Sequence, residues 1–172
     1  LREIIRRANH KSVNLYCELL LRMIGKKQSG RGSASAGIAA IKAFWSERGL
    51  PMEGLFLKDG SGLSRSNGIS TRQLALMLAK TGRDPGLFTP FLASLPVAGQ
   101  SGTLKGMLQG TAASGQVAAK SGTMERVRGY AGYITTRSGR LLAFAMIANQ
   151  FTGSSSAVRR QMERILLDLY QR

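Results

Sequence analysis

Metal-ligating and redox-active side chains are almost absent from this sequence. Its 172 residues include one His and one Cys, so no His and Cys cluster with ligand spacing exists, and a zinc or iron site is disfavoured. Cys17 cannot form an internal disulfide, and its apolar helical surroundings predict a small core residue. We therefore expect a protein without a metal or another cofactor.

Acidic residues are also scarce, with 9 Asp and Glu against 25 Lys and Arg, which gives a formal net charge of +16. This balance favours an anionic partner such as a nucleic acid, a membrane surface or an anionic polymer. The basic residues are scattered, and aromatic residues make up only 6% of the chain, so the stacking platforms of a nucleic-acid groove are few. Solvated surface charge is the simpler interpretation, and a basic nucleic-acid-binding module is the alternative.

Long apolar runs are missing as well. No run approaches the roughly 20 residues that cross a bilayer, and the start, "LREIIRRANH", lacks the cleavage site of a signal peptide. The chain opens directly into a helical pattern without an initiator Met or an N-cap residue, so we expect it to begin inside a larger protein. Apolar residues make up 43% of the sequence, enough for one domain with a hydrophobic core.

The hydrophobic period changes from helical to strand-like near Gln116. The first part contains several predicted helices. Ser70 and Gln73 have the spacing of a capping box, which predicts the start of one of them. Three strands follow, and "RSG" at 137–139 joins the last two as a hairpin. The run 141–148 is apolar on both alternating faces, which is typical of a central strand covered by helices on both sides.

A final helical stripe begins near 154–156, and it predicts a helix packed on the sheet. The fold class predicted is therefore α+β, with helices first, then three antiparallel strands and a C-terminal helix. We expect one partial domain over 1–172, with a mainly helical portion at 1–114 and the strands and last helix at 115–172.

Two common catalytic or binding motifs fit poorly. A Ser-His-Asp triad would have to use His10, and no G-x-S-x-G sequence accompanies it. The "DGSGLS" segment at 59–64 resembles a phosphate loop, but it lacks the third glycine and an immediate helix. A tight turn in which Asp59 accepts hydrogen bonds from nearby backbone N–H groups explains it better.

Two other segments indicate a catalytic site only when they are considered together. Ser12-Val13-Asn14 lies at the head of a predicted helix and by itself indicates an ordinary Ser N-cap. Lys120-Ser121-Gly122-Thr123 lies on a predicted strand and by itself indicates a strand end with an exposed Lys. In this order they match two of the three elements of serine acyltransferases of the penicillin-binding and β-lactamase class.

Longer blocks extend this match. The sequence resembles the low-molecular-mass penicillin-binding D-alanyl-D-alanine carboxypeptidases that also act as endopeptidases. Four blocks in family order carry the resemblance across most of the chain: "NHKSVNLYCELLLRMIG", "LKDGSGLSRSNGIS", "SLPVAGQSGTLKGML" and "GQVAAKSGTMERVRGYAGYITTRSGRLLAFAMIAN". The resemblance implies a five-stranded antiparallel sheet with helices on both faces, and an active site between the sheet and a helical subdomain.

The resemblance also implies catalytic roles for three residues. Ser12 would relay a proton between the catalytic lysine and the leaving amine. Asn14 would hold the substrate backbone and orient that lysine. Lys120 would add positive charge near the terminal carboxylate of the substrate.

Three further residues would bind the substrate. Ser121, where the family often has Thr, would donate a hydrogen bond to the terminal carboxylate. Gly122 would let the acyl donor come close to the strand. Thr123 would offer its backbone N–H to the oxyanion hole.

One family element is missing. No Ser stands three residues before any Lys, so the nucleophile motif S-x-x-K is absent from these 172 residues. The resemblance therefore implies the C-terminal part of a longer enzyme, without its nucleophile, its first two strands and its inserted domains. We expect this chain alone to form no acyl-enzyme, and we expect an open edge on strand 141–149 that an upstream part of the same protein or another chain completes.

The leading functional hypothesis is a fragment of a periplasmic serine-type D-Ala-D-Ala carboxypeptidase/endopeptidase. The complete protein would act on peptidoglycan stem peptides through an acyl-enzyme, β-lactams would mimic the substrate, and a signal peptide would lie upstream. No nucleic acid partner is expected. The alternatives are a non-catalytic peptidoglycan-binding relative that keeps the cleft, and the basic nucleic-acid-binding module described above.

Overall fold

The computed structural model describes residues 1–172 as six α-helices and one three-stranded antiparallel sheet. The helices are α1 (Arg2–Lys11), α2 (Asn14–Ser29), α3 (Ala34–Glu47), α4 (Thr71–Gly82), α5 (Pro85–Leu92) and α6 (Ser155–Tyr170). The strands are β1 (Val117–Met124), β2 (Val127–Thr135) and β3 (Leu141–Asn149), and a short 3₁₀ turn covers Gly102–Leu104. The predicted α+β class is confirmed. None of the helices combines the length and apolarity that a membrane crossing requires.

The start of α4 follows from its sequence. The hydroxyl of Ser70 accepts a hydrogen bond from the backbone N–H of Gln73 at 3.1 Å, and the Gln73 side chain accepts one from the Ser70 N–H at 2.9 Å. The predicted capping box is therefore confirmed. Gln73 is buried, and its amide group also donates to the carbonyl oxygens of Pro51 and Glu53. One side chain thus starts the helix and fixes the loop before it.

The sheet is a meander with the strand order β1-β2-β3. The two hairpins join neighbouring strands, and Gly139 in the second turn adopts a φ of 81°, as the "RSG" signal predicts. The interpretation of 141–148 as a central strand is wrong for this sheet, because β3 pairs only with β2 and lies at the edge. The open edge expected on strand 141–149 is present. The apolar pattern of β3 indicates that helices cover both faces of the sheet. It does not indicate where β3 lies in the strand order.

Helices cover the two faces of the sheet. On one face α6 contributes Met162 and Leu166 to the main core, which also contains Val117, Ile134 and Phe144. A smaller cluster on the other face joins α4 and α5 to β2 around the ring of Tyr133. The Tyr133 hydroxyl donates to the carbonyl oxygen of Leu78 at 2.8 Å, and burial raises the pKa of this tyrosine to about 12. The predicted packing of the last helix on the sheet is confirmed.

The helices α2 and α3 meet at two glycines. A Cβ atom on Gly37 would lie 2.1 Å from the carbonyl oxygen of Leu21, and one on Gly25 would lie 2.6 Å from the backbone nitrogen of Gly37. No real side chain tolerates such distances to backbone atoms, so the helix backbones touch directly here. This contact fixes α2, whose first residue is Asn14, against the rest of the helical portion.

We predict that Gly37→Ala destabilises the fold by about 1–3 kcal/mol, because α3 must move away from α2 to accept the methyl group. Gly82→Ala is the matched control, since a Cβ atom there would meet only Tyr133 at 3.6 Å within a helix. The control should be neutral or slightly stabilising, because Ala favours the helix by roughly 0.5–1 kcal/mol. Urea unfolding of both variants checks this, and equal stability of the two would contradict the close helix contact.

Candidate active site

Ser12 lies between two helices and caps neither. It follows the last residue of α1 in a left-handed conformation, with φ 51° and ψ 49°. The N-cap residue of α2 is Val13, and no side chain caps this helix. The interpretation of Ser12 as an N-cap residue at the head of α2 is therefore wrong. The left-handed conformation costs a residue with a side chain about 1–2 kcal/mol, and backbone strain of this kind is concentrated at functional sites.

The ammonium group of Lys120 reaches Ser12 across 108 residues of sequence. Its Nζ atom donates to Ser12 Oγ at 2.6 Å and to the carbonyl oxygen of Ser121 at 2.5 Å. Burial lowers the pKa of Lys120, and a charge interaction with Cys17 opposes this shift. The two predicted motifs therefore meet through a direct hydrogen bond.

Thr103 is a member of this group that the sequence did not single out. The Ser121 hydroxyl donates to Thr103 Oγ1 at 2.7 Å, which ties β1 to the 3₁₀ turn. Thr103 stands in the block "SLPVAGQSGTLKGML" without any motif of its own. Only the folded geometry brings its hydroxyl next to Ser121.

The outer edge of β1 is covered over its first half alone. The N–H of Ala98 donates to the Val117 carbonyl, and the N–H of Ala119 donates to the Pro96 carbonyl, and this cover ends before Lys120. Backbone groups of alternate residues in an antiparallel strand point to the same edge. The N–H groups of Ser121 and Thr123 therefore point to the same side as that of Ala119, away from β2.

All six predicted site residues line one open cleft of about 1530 Å³: Ser12, Asn14, Lys120, Ser121, Gly122 and Thr123. No other atom would contact a Cβ atom on Gly122 within 4 Å, so the space above the strand is open at this residue. The rest of the lining is mainly apolar, and it comes from α1, α4, α5 and the sheet. The cleft thus has a polar end at β1 and a long apolar wall.

The 59–67 loop reaches the cleft through Ser61, Gly62 and Leu63. The Asp59 carboxylate accepts hydrogen bonds from the N–H groups of Gly62 at 2.8 Å and Ser64 at 2.6 Å, as the tight-turn interpretation predicts. Burial opposes ionisation of Asp59, but these bonds and one from Asn67 lower its pKa.

Glu18, which the sequence did not single out, holds this loop against α2. Its Oε1 atom accepts from the N–H groups of Gly60 at 3.0 Å and Ser61 at 2.9 Å. The backbone donors that a phosphate would need are therefore taken by two carboxylates of the protein.

Cys17 is half-buried and lines the cleft, so it is not the core residue that its sequence environment predicts. Burial raises the pKa of its thiol. Its carbonyl oxygen would lie 2.5 Å from a Cβ atom on Gly60, which explains why the loop needs glycine at this close approach.

Glu18→Ala should release the loop from α2. We expect amide hydrogen exchange at Gly60 and Ser61 to accelerate about 10- to 100-fold, because each amide loses a hydrogen bond to a charged acceptor. Glu53→Ala is the control, since Glu53 is exposed and its carboxylate makes no hydrogen bond. Unchanged exchange at both amides in Glu18→Ala would contradict the role of this carboxylate.

The lowered pKa of Lys120 predicts a pH-dependent stability. Between this lowered value and the usual 10.5, the unfolded chain binds more protons than the folded chain, so stability rises with pH. In the Lys120→Met variant, this increase of stability with pH should be absent. Urea unfolding at a series of alkaline pH values measures the difference, with both proteins carrying Cys17→Ala because the thiol titrates nearby. Parallel pH profiles would contradict the shift.

Two curated relatives are similar in sequence to this chain. The chain is 40% identical over 147 residues to the D-alanyl-D-alanine carboxypeptidase of Actinomadura sp. (strain R39), a match that covers 83% of this chain and 27% of the relative. It is 33% identical over 156 residues to carboxypeptidase DacB of Mycolicibacterium smegmatis, covering 86% of this chain and 33% of the relative. The chain therefore spans a third or less of the length of these relatives.

The fold has solved counterparts. The structure of penicillin binding protein 4 (dacB) from Haemophilus influenzae, complexed with a novel β-lactam, superimposes with a TM-score of 0.87 at 26% identity, covering 99% of this chain and 41% of that one. The D-Ala-D-Ala carboxypeptidase 3 (S13) family profile matches residues 1–169. On this match, together with the 40% and 33% identities, the chain belongs to the D-Ala-D-Ala carboxypeptidase 3 (S13) family.

Proposed function

We propose that the protein containing this chain is a serine D-Ala-D-Ala carboxypeptidase that cleaves peptidoglycan stem peptides through an acyl-enzyme. One observation carries the proposal: the Lys120 ammonium group is hydrogen-bonded to the Ser12 hydroxyl in the cleft, beside the uncovered edge of β1. Hydroxyl, ammonium and backbone donors at one place are what acyl transfer to and from a peptide needs.

The uncovered edge of β1 suits an extended peptide. Such a peptide pairs with a free strand edge through its own backbone groups, and open space at Gly122 admits it closely. The Thr123 N–H then donates to the carbonyl oxygen under attack and stabilises the negative charge that develops there. On the leaving D-Ala, one residue beyond the carbonyl under attack, Lys120 and Ser121 bind the terminal carboxylate.

The hydrogen bond between Lys120 and Ser12 defines the direction of proton transfer. Since Ser12 Oγ accepts from the Lys120 ammonium group, its own O–H proton stays available for another acceptor. We assign this proton to the departing amine of D-Ala, and the lysine of the S-x-x-K motif returns a proton to Ser12 Oγ. Asn14 holds the peptide backbone at the start of α2. Ser12 is thus a proton relay and not the nucleophile.

A further segment of the same protein supplies the nucleophile in this proposal. The cleft of about 1530 Å³ exceeds the roughly 300–1,000 Å³ typical of small-molecule sites. Its long apolar wall, including Leu74, Met77 and Phe91, suits the apolar face of a helix. We place a segment with the S-x-x-K motif there, and an added strand on the free edge of β3.

Ligands and location follow from the same proposal. A β-lactam would enter the cleft as a substrate mimic, as supported by the related Haemophilus influenzae structure, which is complexed with one. The substrate is a cell-wall peptide, so we propose an extracytoplasmic location.

Fluorescent penicillin tests the proposal on the gene product that includes the residues preceding Leu1. We expect covalent labelling of that protein and none of the 172-residue chain, which lacks S-x-x-K. Ser12→Ala should slow labelling about 100-fold or more, as expected for loss of a proton relay. Ser35→Ala, at an exposed position of α3, is the control and should label normally.

Two outcomes would contradict the proposed enzymatic activity or its mechanism. A longer protein without S-x-x-K would instead support the non-catalytic relative that keeps the cleft. A protein with the motif that is not labelled, or is labelled equally fast in Ser12→Ala, would contradict the mechanism.

A further inference from the structure

We propose that Thr103 is a further specificity-determining residue of the carboxylate site: its hydroxyl, held by the hydroxyl of Ser121, donates to the terminal carboxylate of the peptide and favours it over an uncharged end. The proposal rests on the proposed function and adds a specificity-determining residue to it. It starts from the 2.7 Å contact between the two hydroxyl oxygens in the cleft.

The two hydroxyl groups together have one hydrogen that is left for a ligand. Each hydroxyl carries one hydrogen, and the bond between Ser121 and Thr103 consumes one of the two. Because Ser121 donates and Thr103 accepts, the second hydrogen is the one on Thr103. A carboxylate oxygen can accept it. Without the Thr103 hydroxyl, Ser121 loses the partner that holds its rotamer.

The position of Thr103 is fixed by its neighbours. Leu104, the next residue, is fully buried in the main core. A Cβ atom on Gly102, the preceding residue, would lie 3.0 Å from Pro96 and 3.1 Å from the His10 ring, so the turn fits closely against α1. Since α1 ends next to Ser12, the same packing sets the places of both Thr103 and Ser12.

The charge of the cleft favours an anion at this subsite. Lys120, Arg2, Arg128 and Arg159 line the cleft, and no Asp or Glu does. The ammonium group of Lys120 donates to the carbonyl oxygen of Ser121, so a full positive charge lies next to the hydroxyl pair. A carboxylate gains from this charge and from the free hydroxyl hydrogen, whereas a carboxamide gains from the hydrogen bond alone.

Two peptides that differ only in their last group test this inference on the 172-residue chain. N-acetyl-L-Lys-D-Ala-D-Ala and its C-terminal carboxamide are titrated while backbone amide chemical shifts are recorded. We expect the wild-type chain to prefer the acid. Thr103→Val should reduce affinity for the acid about tenfold, the size expected for one hydrogen bond to a charged group, and reduce affinity for the carboxamide less, because that hydrogen bond joins uncharged groups.

Matched variants separate the role of the hydroxyl from a packing effect. Thr103→Ser keeps the hydroxyl and should restore the preference for the acid. Ser121→Ala should lose it to a similar extent as Thr103→Val. Thr152→Val, at an exposed threonine in the loop between β3 and α6, should behave as the wild type.

The outcomes distinguish this inference from the function on which it rests. A wild-type chain that binds neither peptide, or does not prefer the acid, contradicts the carboxylate subsite, whereas the penicillin labelling of the longer protein tests the proposed function separately. A preference that Ser121→Ala removes and Thr103→Val leaves intact contradicts only the role of Thr103. Loss of the preference in Thr103→Ser as well shows a packing role and also overturns the inference.

Discussion

The uncovered outer edge of β1 is the constraint on which the cleft depends. Residues 96–98 pair with this edge as far as Ala119 and then turn away, so the strand continues with backbone donors that no other strand satisfies. Buried backbone donors must find partners, and these can stay open only because the cleft admits solvent or a ligand. Ser12, Gly122 and the hydroxyl of Thr103 belong to one site because all three lie around this exposed backbone.

The sequence predicted the parts of the site that lie in one continuous segment. The strand 117–124, its small residues and the glycine turn before β3 follow from composition and period alone. It could not predict the left-handed residue at 12, because no local rule marks a serine for that conformation. Thr103 and Glu18 were missed for a related reason: their partners lie 18 and 42 residues away, and only packing brings them together.

The edge position of β3 shows another limit of pattern reasoning. An apolar strand pattern reports what covers the two faces of a sheet, and here α4 and α6 do cover them. Pairing along the edge is decided by backbone hydrogen bonds, which leave no trace in side-chain hydrophobicity. The family resemblance, by contrast, implied an open edge for this strand, because it brought topology that periodicity lacks.

The contact between Lys120 and Ser12 has a consequence for the order of folding. Strands β1, β2 and β3 are successive hairpins, so their pairing closes short loops and can form early. The contact across 108 residues closes a long loop and requires the helical portion to be docked on the finished sheet. We therefore expect the cleft to form after the hairpins, so that a partly folded chain can hold native hairpins while the cleft is still absent.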